Sequence, residues 1–229
     1  MKKKLPVLLI LFFSIFNRCK NDISTPPPAS YSLINASPDS QGLDFLLDGT
    51  PVTTNLVYGQ DSGYFSAAPG IHDMVFRKTG TTNDLINLNL SLTAGQSYNL
   101  FAIDLVNQLK PVVIANNAPT PPGDSIEVRL LNFYVNSPLL NVQFSGTTDT
   151  LRYFSRSFND QSSDTTRSAF HRIVQDIYTL HIASTDSTLI DSIPNLVLTQ
   201  GNIYTFYLKG IYGDTAAVNK LSTGILVNQ

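Results

Sequence analysis

The chain is poor in charge, in cysteine and in tryptophan. Charged residues occupy 14% of its 229 positions, whereas about 25% is usual for a soluble domain. Glutamate occurs once, as Glu127, so long Glu/Lys helices are nearly excluded. A net charge of −2 removes the basic footprint that nucleic-acid binding needs. With one cysteine, Cys19, the chain can form neither an internal disulfide nor a CxxC redox pair.

Small polar residues take the place of charge. The chain contains 22 serines, 21 threonines and 19 asparagines, which suit strands and turns better than helix interiors. Apolar residues alternate with them, as in the segment DLINLNLSL that starts at Asp84. Short alternating runs bounded by turn residues predict an all-β chain of antiparallel, immunoglobulin-like β-sandwiches, with one solvated face on each sheet.

The N-terminus has the pattern of a bacterial export signal. Lys2, Lys3 and Lys4 precede an apolar run from Leu5 to Phe16, which is shorter than the roughly 20 residues that span a bilayer. We therefore assign residues 1–18 to a signal peptide. Its removal leaves 11 basic and 17 acidic residues, a net charge of −6.

The residues after the apolar run resemble a lipoprotein precursor. Cys19 stands where such precursors carry the cysteine that is lipidated, and Lys20-Asn21-Asp22 resembles the tag of surface-exposed Bacteroidetes lipoproteins. This resemblance implies attachment to the membrane through a lipid on Cys19. We expect an outer-membrane, surface-exposed protein, with a periplasmic or secreted location as the alternative.

Two proline-rich stretches divide the remaining chain. We predict a tether over residues 19–30, a sandwich domain over 31–115, a linker over 116–125 and a diverged sandwich domain over 126–229. The two domains repeat each other. Asn35 aligns with Asn132 at an offset of 97 and Gly95 aligns with Gly201 at an offset of 106, so the second copy should contain an insertion at about residues 158–172.

Four motifs of the first copy resemble the domain-of-unknown-function family 4397. They are LINASPD from Leu33, LDFLLDG from Leu43, APGIH from Ala68 and LTAGQSY from Leu92. The resemblance covers residues 31–115 clearly and 126–229 in part. It implies a β-sandwich in a bacterial envelope protein and no established activity.

No catalytic or metal-binding pattern accompanies these motifs. The three histidines, His72, His171 and His181, are too far apart in sequence for an HxH or HExxH pair, and no G-x-S-x-G elbow or P-loop is present. We expect no metal and no cofactor.

Aromatic residues are the remaining candidates for ligand contact. Tyr58 and Tyr64 flank a glycine-containing loop in the first copy, and Phe158 and His171 lie in or beside the insertion of the second. Phe154 also flanks this insertion. Ligand sites of sandwiches usually lie on such loops. The alternative interpretation is that these rings pack inside the protein.

Two functions remain open. The first is a non-enzymatic envelope lipoprotein that acts as a binding or structural module toward an extracellular polymer, such as a glycan, or toward a partner protein. The second is an envelope hydrolase or accessory subunit whose site lies between the two domains and uses His171 or His181.

Overall fold

A computed structural model describes residues 25–228 of the chain. The predicted signal peptide and Cys19 lie outside these residues. Within them the chain forms sixteen β-strands and three short 3-10 turns. The strands are β1 (Ala29–Asn35), β2 (Leu43–Leu47), β3 (Thr50–Leu56), β4 (Asp61–Ala67), β5 (Gly70–Lys78), β6 (Asp84–Leu92), β7 (Ser97–Ile103), β8 (Lys110–Ala115), β9 (Ser125–Val135), β10 (Leu140–Ser145), β11 (Thr150–Arg156), β12 (His171–Val174), β13 (Asp176–Ser184), β14 (Leu189–Leu198), β15 (Ile203–Ile211) and β16 (Ser222–Val227).

The strands form four sheets of four strands. In the first half, β4-β1-β7-β8 form inner sheet 1 and β3-β2-β5-β6 form outer sheet 1. In the second half, β12-β9-β15-β16 form inner sheet 2 and β11-β10-β13-β14 form outer sheet 2. Adding eight to each strand number of the first half gives the strand orders of the second half, so the two halves have the same topology. The predicted all-β class with two sandwich units is confirmed.

Most neighbouring strands are antiparallel, but each half contains one parallel pair. β1 runs parallel to β7, and β9 runs parallel to β15. The same exception at the same place in both halves is what a duplicated domain would produce. The first strand, β1, begins at Ala29 and so includes the last two residues of the predicted tether.

A buried asparagine repeats in the two halves. Asn35 Nδ2 donates to the carbonyl of Leu56, and Asn132 Nδ2 donates to the carbonyl of Arg156, over 2.8 and 3.3 Å. Both asparagines are fully buried. Each one satisfies a carbonyl at the end of β3 or β11, a group that would otherwise be buried without a partner. This explains why the repeat is clearest at these two positions.

Each half has its own hydrophobic core between its two sheets. The first core includes Leu33, Phe45 and Phe76, and the second includes Val128, Phe144 and Phe206. Side chains one position away from the core positions point to the opposite face of each strand. The fate of that second face differs between the inner and outer sheets.

The second faces of the two inner sheets pack against each other. A third cluster of buried residues joins the halves, and in it the rings of Phe101, Phe133 and Tyr207 lie with centroids 4.9 to 6.5 Å apart. The prediction of one solvated face per sheet is therefore wrong for the inner sheets. Every residue of β7 is buried, because one face of this strand meets its own core and the other meets the second half.

A buried arginine holds the connection between the halves. Arg129 is 1% exposed and donates to Thr205 Oγ1 over 2.7 Å, to the Ala115 carbonyl over 3.0 Å, and to Asn116 Oδ1. Burial lowers the pKa of Arg129 to about 9, so the guanidinium stays protonated at neutral pH. The segment from Asn116 that leads to β9 is thus tied to the second half at its first residue.

Nothing within residues 25–228 forms a helix of the length and hydropathy needed to cross a bilayer.

Candidate ligand-binding face

Strand β11 is an edge strand of outer sheet 2, and its side chains separate into two faces. Tyr153 points into the core, where its hydroxyl donates to the Val128 carbonyl over 3.1 Å. Burial raises the pKa of this hydroxyl, so it stays a protonated donor. Arg152 and Phe154 point to the opposite face, and Phe154 is 61% exposed. Phe154 and Arg152 thus offer an apolar ring and a guanidinium side by side, which is a combination that can contact a ligand.

A bulge determines which side chains of β11 face outward. Ser155 has a φ of 53°, and its backbone N–H donates to Asn141 Oδ1 over 3.0 Å. The ladder between β10 and β11 shifts register at this point. Because the bulge adds one residue to the strand, Arg156 returns to the buried side while Phe154 stays outside.

A row of polar side chains crosses the outer face of the sheet. Arg152 is paired with Gln143, Gln143 with His181, and His181 with Ser192, on four successive strands. Arg152 Nε donates to Gln143 Oε1 over 2.7 Å, and His181 Nδ1 lies 3.2 Å from Ser192 Oγ. With strands about 4.8 Å apart, the row is roughly 14 Å long. It provides amide, imidazole, guanidinium and hydroxyl groups along one line.

Two open depressions meet at Phe154. The first, of about 320 Å³, lies over the sheet and is lined by Asn141, Gln143, Arg152 and His181, among others. The second, of about 480 Å³, lies beside the insertion, with His171 and Arg167 in its lining. Both include Phe154 and Arg152. Phe154 and Arg152 therefore border both depressions.

The predicted insertion lies between β11 and β12, and a buried ion pair holds it. Arg156 is 1% exposed and makes two bonds to Asp160, from Nε over 2.6 Å and from Nη2 over 2.8 Å. It also donates to the carbonyls of Leu130 and Arg167. Arg167 in turn donates from Nη1 to the Phe154 carbonyl over 3.0 Å. The loop is in this way bonded to the strand that carries the exposed ring.

The first half lacks this surface. The positions that correspond to Gln143 and His181 by strand pairing are Leu46 and Val75, which pair with each other and are each 6% exposed. The bulge of β11 also has a counterpart, since Asn55 has a φ of 53° and bonds Asp44 as Ser155 bonds Asn141. Thr54 therefore stands where Phe154 stands in the second half. The first half therefore has the same strand topology as the second without this surface, and its residues can serve as controls.

The four predicted contact residues separate into two groups. Tyr58, Tyr64 and Phe158 lie where the halves meet: Lys209 Nζ lies 4.6 Å from the Tyr58 ring centroid, Tyr64 Oη donates to Asn99 Oδ1 over 2.8 Å, and Phe158 packs beside the interface cluster. Tyr64 belongs to strand β4 rather than to a loop. His171 alone of the four is exposed, with its ring 5.4 Å from that of Tyr153, in the second depression.

Of the two outward residues of β11, Phe154 was expected as an aromatic residue that flanks the insertion, and Arg152 was not among the predicted contact residues. The signal in the sequence was the segment TLRYFSR, in which a tyrosine stands between an arginine and a phenylalanine. Alternation shows that Arg152 and Phe154 share a face. It does not show which face is the core.

No arrangement of histidine, acid and serine that would suit a hydrolase occurs within residues 25–228. His181 contacts Ser192 without a carboxylate, and His171 makes no hydrogen bond to an acid or a serine. His72 bonds Asp48 over 2.7 Å and the Ala68 carbonyl over 2.8 Å, again without a serine. The same residues contain no group of three or more histidines and acids that could hold a metal ion.

Comparison with known families agrees with the motifs of the first half. A family model described as a domain of unknown function (DUF4397) matches residues 29–143, half of the chain. The chain belongs to the DUF4397 family. The DUF4397 match ends inside β10, at Gln143, so Arg152, Phe154 and His181 lie beyond it.

Two further comparisons add little to the DUF4397 assignment. No curated protein matches the chain. A crystal structure of the family CBM26 module CBMbc from Eubacterium rectale Amy13K, in complex with maltoheptaose, is similar over 86% of this chain and 96% of its own. The sequence identity is 10% and the TM-score is 0.25. At that score the similarity carries no argument about the ligand of this chain.

Proposed function

We propose that this protein is a non-enzymatic module of the cell envelope that binds an extracellular polysaccharide on the outer face of outer sheet 2. The observation that carries the proposal is the exposed ring of Phe154 between two open depressions. An aromatic face offers a large, rigid stacking surface. Sugar rings present C–H groups on one side and hydroxyls around the edge, and both kinds of partner are available on this surface.

The shape of the surface favours a chain over a small molecule. Small-molecule sites are mostly enclosed and apolar, whereas this surface is an open sheet face crossed by the row from Arg152 to Ser192. A polymer can lie along such a row and extend beyond it at both ends. The amides of Asn141 and Gln143 and the imidazole of His181 can bond hydroxyls along its length.

A glycan array tests this proposal directly. We expect the purified full-length chain to bind at least one polysaccharide class. The variant Phe154→Ala should lose about tenfold or more in affinity, because the exposed aromatic face that the sugar would cover is removed. Thr54→Ala, at the corresponding position of the first half, is the matched control and should bind as the wild type does. No binding to any polysaccharide, or equal binding by Phe154→Ala, would contradict the proposal.

We also propose that the module is attached to the outer membrane through a lipid on Cys19 and faces outward. The basic start, the apolar run and the cysteine at its end support this attachment. Pro26, Pro27 and Pro28 would then form an extended spacer between the lipid and β1. Cells grown with a labelled fatty acid should incorporate label into the wild-type chain and not into Cys19→Ala. Equal label in both would reject the anchor without affecting the binding face.

A further inference from the structure

The charges around the binding face differ from those of the chain as a whole. The described residues carry 10 basic and 16 acidic side chains. The depressions at Phe154 are instead lined by three arginines: Arg156 pairs with the buried Asp160, Arg167 lies 3.6 Å from Asp164, and Arg152 has no acidic partner among the described residues. An acidic protein has therefore placed one uncompensated positive charge, that of Arg152, beside its exposed ring.

Arg152 has donors that the protein does not use. Its Nε donates to Gln143 Oε1, a neutral acceptor, and this bond fixes the direction of the guanidinium. Its two terminal nitrogens have no acceptor in the part of the chain that the structure describes, and no acid there forms an ion pair with it. A guanidinium fork held by Nε with both terminal nitrogens open has the geometry that receives a carboxylate through two parallel bonds.

Two acids at or beside the depressions, Asp164 and Asp186, are hydrogen-bonded within their own turns. Asp164 accepts from Thr166 Oγ1 over 2.6 Å and from Thr166 N over 3.0 Å, and it lies 3.6 Å from Arg167 Nε. Asp186, in sequence between the lining residues Ser184 and Ser187, accepts from Ser184 Oγ and Thr188 N. These bonds lower the pKa of both carboxyl groups, so both are anionic near neutral pH, and the oxygens of both already accept hydrogen bonds. Neither neutralises Arg152.

We infer that the polysaccharide is anionic, and that a carboxylate of an acidic sugar binds the terminal nitrogens of Arg152 while a sugar ring stacks on Phe154. This inference rests on the proposed function and names the class of glycan that the same face takes. A uronic acid carries its carboxylate on the sugar ring, so one residue of the chain can meet both side chains. The amides of Asn141 and Gln143 are then left for hydroxyls of the neighbouring sugars.

Three polymers separate this inference from the proposed function. We would measure equilibrium binding of the full-length chain to polygalacturonate, to its fully methyl-esterified form and to dextran sulfate. The ester has the same backbone without the charge. We expect polygalacturonate to bind about tenfold or more tightly than the ester, and we expect this preference to shrink as NaCl is added.

Two variants, each of which removes one positive charge, test the role of Arg152 against a matched control. Arg152→Gln should lose the preference for the acid over the ester and keep the wild-type midpoint of thermal unfolding, because the side chain is on the surface. Lys78→Gln removes one exposed positive charge from outer sheet 1 and should leave binding unchanged.

The outcomes are distinguishable. Equal binding of acid and ester, with both lost in Phe154→Ala, would overturn the inference and leave the proposed function intact. Binding of dextran sulfate without polygalacturonate would overturn the assignment to a carboxylate. Absence of binding to every polysaccharide would overturn the proposed function itself.

Discussion

Asn99 Nδ2 donates a hydrogen bond of 2.7 Å to Oδ1 of Asn228, which lies 129 positions later in the chain. Both side chains are buried, and Asn228 Nδ2 in turn donates to Thr205 Oγ1 over 2.8 Å. Buried amides stabilise only the arrangement in which their partners are present. This pair therefore determines how inner sheet 1 registers on inner sheet 2, and the aromatic cluster beside it provides the apolar contact.

The interface cluster should be a large contributor to stability. Phe133 and Phe101 are fully buried, with ring centroids 4.9 Å apart. Phe133→Ala should lower the free energy of unfolding by about 3–5 kcal/mol, the usual cost of such a cavity. Urea unfolding would measure it, with the exposed Phe154→Ala as the control near wild type. An unchanged midpoint for Phe133→Ala would mean that the inner sheets do not pack together in solution.

The first half alone should expose an apolar sheet. A chain of residues 25–118 lacks the cover over Ile34, Phe101 and Ile103, all of which are fully buried in the whole protein. Apolar patches of this kind promote association. We expect the fragment to bind the dye ANS and to self-associate in sedimentation, in contrast to the full chain. A monomeric fragment that does not bind ANS would contradict the packing of the two halves.

The insertion should depend on its buried ion pair. Asp160→Asn leaves the Arg156 guanidinium buried without its counter-charge, and the loss of one partner of such a pair costs about 3–5 kcal/mol. The matched control is Asp164→Asn, which removes an acid from an exposed pair in the same loop and should change stability little. The free energies of unfolding of the two variants, taken from their unfolding curves, are compared. If they coincide, the loop is not held by Arg156.

The pair of His72 and Asp48 predicts a dependence on pH. The hydrogen bond that His72 donates to Asp48, and next the bond that it donates to the Ala68 carbonyl, raise the pKa of His72 above its usual 6.5. The bond from His72, and next the backbone N–H of Asp73, lower the pKa of Asp48 below 3.8. Because folding raises the pKa of His72, its protonated ring stabilises the folded state fully below pH 6.5. This stabilisation is lost as the pH rises through the pKa of His72 in the folded state. Because folding lowers the pKa of Asp48, its carboxylate stabilises the folded state fully above pH 3.8, and this stabilisation is lost as the pH falls through the pKa of Asp48 in the folded state.

The variant His72→Gln should test this dependence. The stability difference from the wild type should be largest between the two pKa values, at about pH 5, and should shrink toward pH 9. Urea midpoints across this range, with an NMR titration of the His72 ring, would measure it. A difference that grows with rising pH would show that the sign is wrong.

Some features of this protein could be predicted from local patterns. Alternation in segments such as β6 predicted strands, and the offsets of Asn35 with Asn132 and of Gly95 with Gly201 predicted a duplication, because both signals depend on residues close together in sequence. The glycine before β7 and its counterpart before β15 both have a positive φ, 70° and 77°, which turns need and other residues adopt at a cost. The repeat is therefore preserved at Gly95 and Gly201, where the backbone has a positive φ.

The proposed binding face was predictable only in part, since Phe154 flanks the insertion in the sequence whereas the residues it shares the face with are distant. Phe154 and Tyr153 are adjacent aromatic residues, and only the packing of Tyr153 against Val128 decides that Phe154 is the one outside. Gln143 and His181 are 38 positions apart and meet because β10 pairs with β13. Such pairings follow from sheet register, which no local pattern specifies.

The amino-acid sequence by itself determined the β class, the duplication and the insertion, since each follows from residue types at short or fixed spacing. The tertiary structure alone decided that the inner sheets are buried on both faces and that outer sheet 2 presents an open surface. The physical reason is that period-two alternation reports only that a strand has two faces. Whether the second face meets water or another sheet depends on which distant segment packs against it, as Phe133 packs against Phe101.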